Sequence, residues 1–421
     1  MKKRNKICPK WLQRLVAAVF LQYFTRKCRR KVREFVYTTK EHNKGSPDSI
    51  GKGWRKRPAV QPQTIDSEVP GERTNAEMGN LHRGKQSVIF ENPPCILSAA
   101  AVVGKKEGQG PLGNYFDMVN EDTKFGQKSW EMAEVEMQRL ALGMALDKAG
   151  LEKKDIDMVY VGDLLNQCIG SSFSLRQTGM PVIGLYGACS TMALGLLMAG
   201  MSVSAGYAGR AVAMTSSHFA SAERQYRFPL GYGGQRTPTA QWTVTGAGAA
   251  VLRQEGSGPF LKAGTIGTIV DKGIKDANNM GAAMAPAAYE TIRQHFEDLH
   301  TAPEDYDLIV TGDLGQLGKE IVINLFQRDG VAIGGRYDDC GVMIYDRKEQ
   351  DVHCGGSGCG CSASVLCGFL LKQMAKRKIN RLLFCGTGAL LSPTSTQQGE
   401  SVPSVCHAVT ISNERGAVWN T

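Results

Sequence analysis

The sequence predicts a duplicated α/β fold in which two similar halves stack into five layers, α/β/α/β/α. The main observation is an internal repeat: residues 155–164 (DIDMVYVGDL) return 150 residues later as residues 305–314 (DYDLIVTGDL). A cysteine turn and a small-residue apolar run then follow each copy, at residues 187–190 and 359–362. Because this period is far longer than a solenoid unit, two fused half-domains are expected.

Strand and helix signals alternate along the first half, which we place at residues 78–255. Ser129 can cap a helix that ends at Gly150, since serine suits an N-cap and glycine suits a helix C-terminus. Residues 190–205 are apolar on all sides, which is typical of a buried central helix. Segment 217–245 is predicted to be a long loop. Strands are predicted at residues 84–90, 95–100, 157–162, 211–214 and 246–252.

The second half, residues 256–421, repeats this order. A helix is predicted at residues 284–299 with Pro286 in its first turn, where proline is tolerated. Short apolar strands that alternate with helices are typical of layered α/β domains. A second helix is predicted at residues 362–374, and strands at residues 308–311, 382–384 and 407–411.

The positive charge of the chain is concentrated at its start. Residues 1–77 contain 19 Lys and Arg against 7 Asp and Glu, a net charge of +12 within a total of +10. The rest of the chain is therefore near neutral at −2, which gives no basic stripe for nucleic acid. The apolar run at residues 15–24 is shorter than a membrane helix, and basic residues replace a signal cleavage site.

Residues 1–77 form a basic extension that is predicted to be disordered, because residues 38–77 are polar and rich in Pro and Gly. One interpretation is an amphipathic arm that contacts anionic lipid. The other is an upstream extension that the mature protein lacks, with Met78 as its first residue.

The cysteine pattern predicts reduced, buried thiols rather than a disulfide framework. Most of the twelve cysteines lie among small and apolar residues. The spacing of Cys354, Cys359, Cys361 and Cys367 fits no zinc or iron–sulfur pattern, so no metal site is predicted. The chain also lacks the motifs that cradle phosphate or dinucleotides, and no cofactor is expected.

Six segments together resemble the stage V sporulation protein AD family, which has a thiolase-like fold. The resemblance covers residues 84–412 and excludes the basic extension. The segments are residues 162–167 (GDLLNQ), 184–191 (GLYGACST), 215–218 with 222–229 (TSSH, AERQYRFP), 284–288 (MAPAA), 355–359 (GGSGC) and 387–394 (TGALLSPT).

This resemblance implies a protein of spore-forming bacteria that binds dipicolinic acid, free or as its calcium chelate, rather than converting it. It implies a homodimer that acts with the other subunits of a membrane complex importing this ligand into the forespore. The expected location is peripheral, on the cytoplasmic side of the forespore or spore inner membrane. The alternative is an enzyme for acyl transfer or condensation.

Cys189 is the leading chemical candidate, because a cysteine at a helix N-terminus gains thiolate character and thiolase-like enzymes use such a residue as nucleophile. The competing interpretation is that this tight turn simply needs small residues. A condensing enzyme also needs a base. The histidine that ketosynthases carry after the first strand of the second half is replaced here by Gly312-Asp313. His218 and His407, with Cys406, are the remaining candidates for a different catalytic set.

A binding site for a small dianion needs positively charged side chains and flat apolar walls. Arg224 and Arg227 can grip carboxylates with paired hydrogen bonds, although either could instead form a dimer contact. Asp163 could face calcium, which binds oxygen ligands, or it could fix a turn, as aspartate often does. The predicted ligand-binding residues are Asp163, Asn166, Cys189, His218, Arg224 and Arg227.

Overall fold

Eleven helical segments alternate with strands along the described part of the chain. In this computed structural model, residues 81–226 and 236–416 are described. The basic extension and Arg227 lie outside them. The helices are α1 (Lys105–Gly108), α2 (Trp130–Ala149), α3 (Ile169–Leu175), α4 (Thr191–Ser204), α5 (Phe219–Tyr226), α6 (Met280–Leu299), α7 (Gly315–Arg328), α8 (Cys340–Met343), α9 (Cys359–Val365), α10 (Leu371–Ala375) and α11 (Pro393–Gln397).

The strands confirm the duplicated order. The strands are β1 (His82–Arg83), β2 (Ser87–Ile89), β3 (Cys95–Gly104), β4 (Met118–Asn120), β5 (Met158–Gly162), β6 (Val182–Gly184), β7 (Arg210–Ser217), β8 (Trp242–Thr243), β9 (Gly246–Arg253), β10 (Phe260–Thr265), β11 (Leu308–Thr311), β12 (Tyr337–Asp339), β13 (Gly356–Ser357), β14 (Arg381–Ala389) and β15 (Ser404–Ser412).

Both halves have the same sheet topology. The first runs β6-β5-β7-β9-β3 and the second runs β12-β11-β14-β15-β10, and one residue pair, Phe260 with Cys95, joins them. In each half the repeated strand, β5 or β11, lies parallel to both neighbours, as expected where helices connect the strands. The internal repeat therefore corresponds to a structural repeat.

Helices cover and separate the two sheets. Helix α2 packs on β3, β7 and β9, and α6 packs on β14 and β15. Helix α4 contacts strands of both sheets, and α9 lies beside it. Met192 and Leu196 of α4 are fully buried, as the all-round apolar sequence predicts. The order of layers is that of the predicted five-layer fold.

Two boundaries differ from the prediction for identifiable reasons. Helix α6 begins at Met280, because Asn279 caps it by accepting a hydrogen bond from the Ala282 amide. Pro286 therefore lies inside the helix rather than in its first turn. The predicted loop at residues 217–245 begins with α5, so the assignment of that whole segment as loop is wrong.

None of the helices in residues 81–226 and 236–416 is both long and apolar enough to cross a membrane.

Both predicted ends of helix α2 are confirmed. At the N-terminus the Ser129 hydroxyl accepts a hydrogen bond from the Met132 amide, and at the C-terminus Gly150 adopts a left-handed conformation with φ of 64°.

Candidate functional site

A cavity of about 310 Å³ lies beside the Cys189 thiol, and we call it the Cys189 cavity. It collects residues from both halves of the fold. Its lining is mostly apolar, with a few hydroxyls and one carboxyl group, as is usual for small-molecule sites. The lining residues are Leu164, Ala188, Cys189, Ala222, Glu223, Tyr226, Thr243, Ala277, Asn278, Met280, Ser357, Ala389 and Leu391.

A tight turn places Cys189 immediately before α4. Ala188 has φ of 50°, a left-handed conformation that is uncommon for residues other than glycine. Strand β14 of the other half packs against this turn. A Cβ atom on Gly388 would lie 2.6 Å from the Gly187 carbonyl oxygen, so glycine is required for this close approach.

The thiol of Cys189 lies close to the buried carboxylate of Asp313 and interacts with it electrostatically. Burial and this carboxylate raise the pKa of the thiol well above its ordinary value. The sequence-based expectation of thiolate character is therefore not met in this structure: desolvation and a nearby negative charge outweigh the helix N-terminus.

Asp313 is held by several other donors. Thr387 donates from its hydroxyl to Oδ1 over 2.8 Å, and the Gly358 amide donates to Oδ2 over 2.8 Å. Burial nevertheless raises the pKa of Asp313 to about 6. At neutral pH its carboxylate is thus mostly ionised and places a negative charge beside the Cys189 thiol.

Asp163, the equivalent residue of the first half, has a different role. Its carboxylate accepts hydrogen bonds from the Leu165 amide over 2.9 Å and from the Ser171 amide over 2.7 Å. It is fully buried and does not line the Cys189 cavity. This placement supports the turn-fixing interpretation of Asp163 over the calcium-facing one.

The polar groups of the Cys189 cavity are mostly neutral. The Thr243 hydroxyl donates to the buried Glu223 carboxylate over 3.1 Å, and the Tyr226 hydroxyl donates to the Leu164 carbonyl. The Ser357 hydroxyl donates towards Asp313 over 3.4 Å. No lysine or arginine of the described ranges lines this cavity. Positive charge for a bound anion must therefore come from the ligand itself or from outside those ranges.

Neither candidate histidine reaches the Cys189 cavity. His218 Nδ1 accepts from the Ala220 amide, so Nε2 carries the proton and donates to the Thr123 carbonyl over 2.8 Å. His407 lies on β15, where Nδ1 accepts from the Gly267 amide and burial lowers its pKa to about 4. The structure does not assemble the catalytic set of Cys189, His218 and His407 that the sequence left open.

Arg224 and Asn166 come together elsewhere. They line a separate open cleft of about 340 Å³ with Glu131, to which the Arg224 guanidinium is ion-paired. Of the six predicted ligand-binding residues, Cys189 lines the Cys189 cavity. Asp163, Asn166, His218 and Arg224 do not line it, and Arg227 lies outside the described residues.

The cysteines form no disulfide bond among themselves in the part of the chain that is described. The ten cysteines within these ranges are all free thiols, and nine of them are buried. Those same ranges contain no group of three or more His, Cys, Asp or Glu side chains arranged to hold a metal ion.

Comparison with known proteins identifies the family. The family model described as Stage V sporulation protein AD (SpoVAD) matches residues 84–412. Stage V sporulation protein AD of Bacillus subtilis (strain 168) is 46% identical over 334 residues, which cover 79% of this chain and 98% of that protein. The chain belongs to the stage V sporulation protein AD family.

Solved structures show which fold this sporulation protein AD family member has. Two single-substitution forms of OleA from Xanthomonas campestris align with TM-scores of 0.52 and 0.50, at 15% and 14% identity. Each alignment covers 77% of this chain, with 97% and 99% of the OleA chains. The 3-oxoacyl-[acyl-carrier-protein] synthase III of Aquifex aeolicus VF5 is also similar, at 13% identity and a TM-score of 0.47 over 76% of this chain and 99% of that one. The fold is thiolase-like.

Several lining residues were not predicted as site residues. Glu223, Ser357, Ala389 and Leu391 lie within the segments that carry the family resemblance, but nothing in those strings indicates which side chains face a cavity. Asn278 had no sequence signal, because it precedes a helix whose start was placed too late.

Proposed function

We propose that this protein binds dipicolinate, free or as its calcium chelate, in the Cys189 cavity. It would do so as a subunit of the membrane complex that imports this ligand into the forespore. Family membership supports the sporulation role. The observation that carries the binding proposal is the Cys189 cavity itself, which is small, largely apolar and lined by a few hydroxyl oxygens.

The state of Cys189 favours binding over catalysis. Its thiol is kept protonated by burial and by Asp313, whereas a nucleophilic cysteine needs its thiolate. No histidine of the described residues lines the Cys189 cavity to act as a base. The oxygen lone pairs of the cavity hydroxyls can still coordinate the calcium of a chelate, and the apolar walls can pack on its aromatic ring.

Electrostatics favour the calcium chelate as the bound form. Asp313 lies directly behind Cys189 and is mostly ionised at neutral pH, so this side of the Cys189 cavity is negatively charged. A free dianion placed there would be repelled and would lose its hydration. Calcium cancels the ligand's charge and accepts protein oxygen ligands such as carboxylates and hydroxyl groups.

Calorimetry of the full chain with dipicolinate, with and without calcium, tests this proposal. Ala389→Leu adds bulk inside the Cys189 cavity and should weaken binding at least tenfold, about 1.4 kcal/mol. The matched control is Ala205→Leu, at the exposed end of α4. Absence of heat under all conditions, or equal binding by both variants, would contradict the proposal. A mass adduct on Cys189 after incubation with an acyl-CoA would favour acyl transfer instead.

A homodimer is the second part of the proposal, supported by the edge strand β6. Among the described strands it pairs with β5 alone, and Val182 and Ile183 are 44% and 43% exposed. Tyr186 is also exposed, at 53%. An apolar strand edge of this kind suits antiparallel pairing with a second copy of the chain. Ile183→Asp should yield monomers in sedimentation, and an unchanged mass would contradict pairing through β6.

A further inference from the structure

A second cavity of about 280 Å³ lies on the opposite side of α5 and β8, and its chemistry differs from that of the Cys189 cavity. We call it the cationic cavity. Its walls are aromatic and its rim is basic. The residues that define its character are Lys105, Lys106, Trp130, His218, Phe219 and Trp242.

Basic side chains lie against the faces of both indole rings. Lys106 Nζ lies 4.2 Å and Arg236 Cζ 4.8 Å from the Trp242 ring centre. Lys124 Nζ lies 4.9 Å from the ring centre of Trp130. Such contacts keep cationic groups at a partly dehydrated surface, where their attraction for an anion is stronger than in water.

These cations are only partly neutralised. Lys105 pairs with Glu121 over 3.1 Å, and Arg236 pairs with Asp351 over 3.1 Å. Within the described part of the chain, Lys106 and Lys124 have no carboxylate at ion-pair distance. Nη1 of Arg236 is buried and lacks a hydrogen-bond partner among the same residues. The positive groups therefore outnumber the negative groups that could satisfy them.

The remaining acidic group of this cavity adds little negative charge. Glu107 is fully buried and accepts hydrogen bonds from the Tyr345 hydroxyl and from the Thr245 amide over 3.0 Å. Burial raises its pKa, which favours the neutral form. His218 is neutral, with its proton committed to Thr123. The net character of the cavity is positive.

We propose that the cationic cavity is a second ligand site and that it takes a flat aromatic dicarboxylate. Carboxylates would pair with Lys106 and Lys124. Phe219 stacks on Trp242 with a centroid distance of 3.9 Å, so the aromatic side chains offer mainly their edges to a planar ring, as in edge-to-face packing. The identity of this ligand as dipicolinate rests on the proposed function. Charge favours the free dianion here, whereas the acidic Cys189 cavity favours the calcium chelate.

Equilibrium dialysis of the full chain against calcium-free and calcium-loaded dipicolinate measures the number of sites. In a mixture of free and calcium-bound dipicolinate, the unmodified chain should bind two ligands and Ala389→Leu one. Combined Lys106→Met and Lys124→Met keeps the side-chain stems but removes both charges, and it should weaken calcium-free binding about tenfold or more. Lys153→Met with Lys378→Met removes the same charge from exposed positions and should change nothing.

The outcomes separate the two proposals. If the Lys106 and Lys124 variant binds calcium-free dipicolinate as the unmodified chain does, the second site is refuted, whatever Ala389→Leu does. If that variant loses binding while Ala389→Leu has no effect, the second site stands and the proposed role of the Cys189 cavity falls. Glutarate, which has two carboxylates but no ring, should bind more weakly than dipicolinate, and equal binding would refute the aromatic part of the proposal.

Discussion

Cys189 and Asp313 form a thiol–carboxylate pair across the two halves of the fold. Both groups are buried, and the charge of the Asp313 carboxylate acts on the Cys189 thiol. Burial and the charge of Asp313 keep the sulfur in its thiol form, and the thiol is part of the wall of the Cys189 cavity.

Asp313→Asn should make Cys189 more reactive. Removing the negative charge favours the thiolate, so alkylation by iodoacetamide at pH 8 should be faster by a factor of roughly 3 to 10. Peptide-resolved mass spectrometry measures this rate. Cys367 is a suitable internal control, because its environment contains Asp117 rather than Asp313. Equal acceleration at both cysteines would indicate general loosening and would contradict the pairing.

Asp163→Asn should reduce stability without directly altering ligand binding. The new amide can accept from only one of the Leu165 and Ser171 amides, so a buried donor loses its partner at a cost of about 1–3 kcal/mol. Urea unfolding measures the loss. Unchanged stability combined with a tenfold loss of dipicolinate affinity would instead show that Asp163 contacts the ligand.

Arg224→Ala should leave dipicolinate affinity within about threefold of the original value. Arg224 is paired with Glu131 in a cleft separate from the Cys189 cavity, and half-exposed pairs contribute little energy. Calorimetry beside Ala389→Leu makes the comparison. A loss as large as that of Ala389→Leu would restore the sequence-based prediction that this arginine binds the ligand.

Gly388→Ala should disturb the Cys189 turn. The added methyl group would meet the Gly187 carbonyl oxygen, so we expect a loss of about 1–3 kcal/mol in unfolding free energy and weaker ligand binding. Gly143→Ala is the control, because open space surrounds Gly143 in α2 and alanine should stabilise that helix by about 0.5–1 kcal/mol. Equal behaviour of the two variants would contradict the close contact.

Stability should fall as pH rises from 6.5 to 8. Burial, together with the charge of Asp163, raises the pKa of Glu134 to about 8, and burial raises that of Asp339 to about 7. In the unfolded chain both ionise near pH 4. The folded protein therefore binds more protons than the unfolded chain in this window, so raising the pH favours unfolding.

Glu134→Gln should flatten that pH dependence. The buried histidines His218, His295 and His407 have lowered pKa values, so between pH 6.5 and about 7.5 they bind protons mainly in the unfolded chain and contribute a slope of the opposite sign. This contribution is the same in the variant and in the original protein, so the difference between their slopes reports Glu134. Urea unfolding at four pH values measures the slope. A slope that is identical in the variant and the original protein would show that Glu134 does not carry the extra proton.

Most of the fold could be predicted because duplication and apolar periodicity are properties of the sequence. The α2 cap at Ser129 and strand β11 were predicted correctly. Helix α5 was missed because its eight residues include one arginine and two aromatic side chains that also suit a loop. The start of α6 at Met280 was missed because no helical repeat of apolar residues follows Asn279 closely enough to mark it as a cap.

The site was harder to predict, since its residues come from segments far apart in the chain. Asp163 and Asp313 occupy equivalent repeat positions, yet one secures its own turn and the other contacts Cys189. The effect of Asp313 on the thiol depends on packing between halves, which no local pattern records. The same limit applies to Glu223 and Ala389, whose orientation towards the Cys189 cavity is set by tertiary contacts.

Helix α5 and strand β8 serve both cavities, because Phe219 and Trp242 line one while Glu223 and Thr243 line the other. A ligand in one cavity that shifts α5 or β8 alters the affinity of the other cavity for its own ligand. Thermodynamic linkage requires that each ligand change the affinity of the other by the same factor. Calcium would then regulate loading and release within a single subunit, because it changes which of the two cavities dipicolinate prefers.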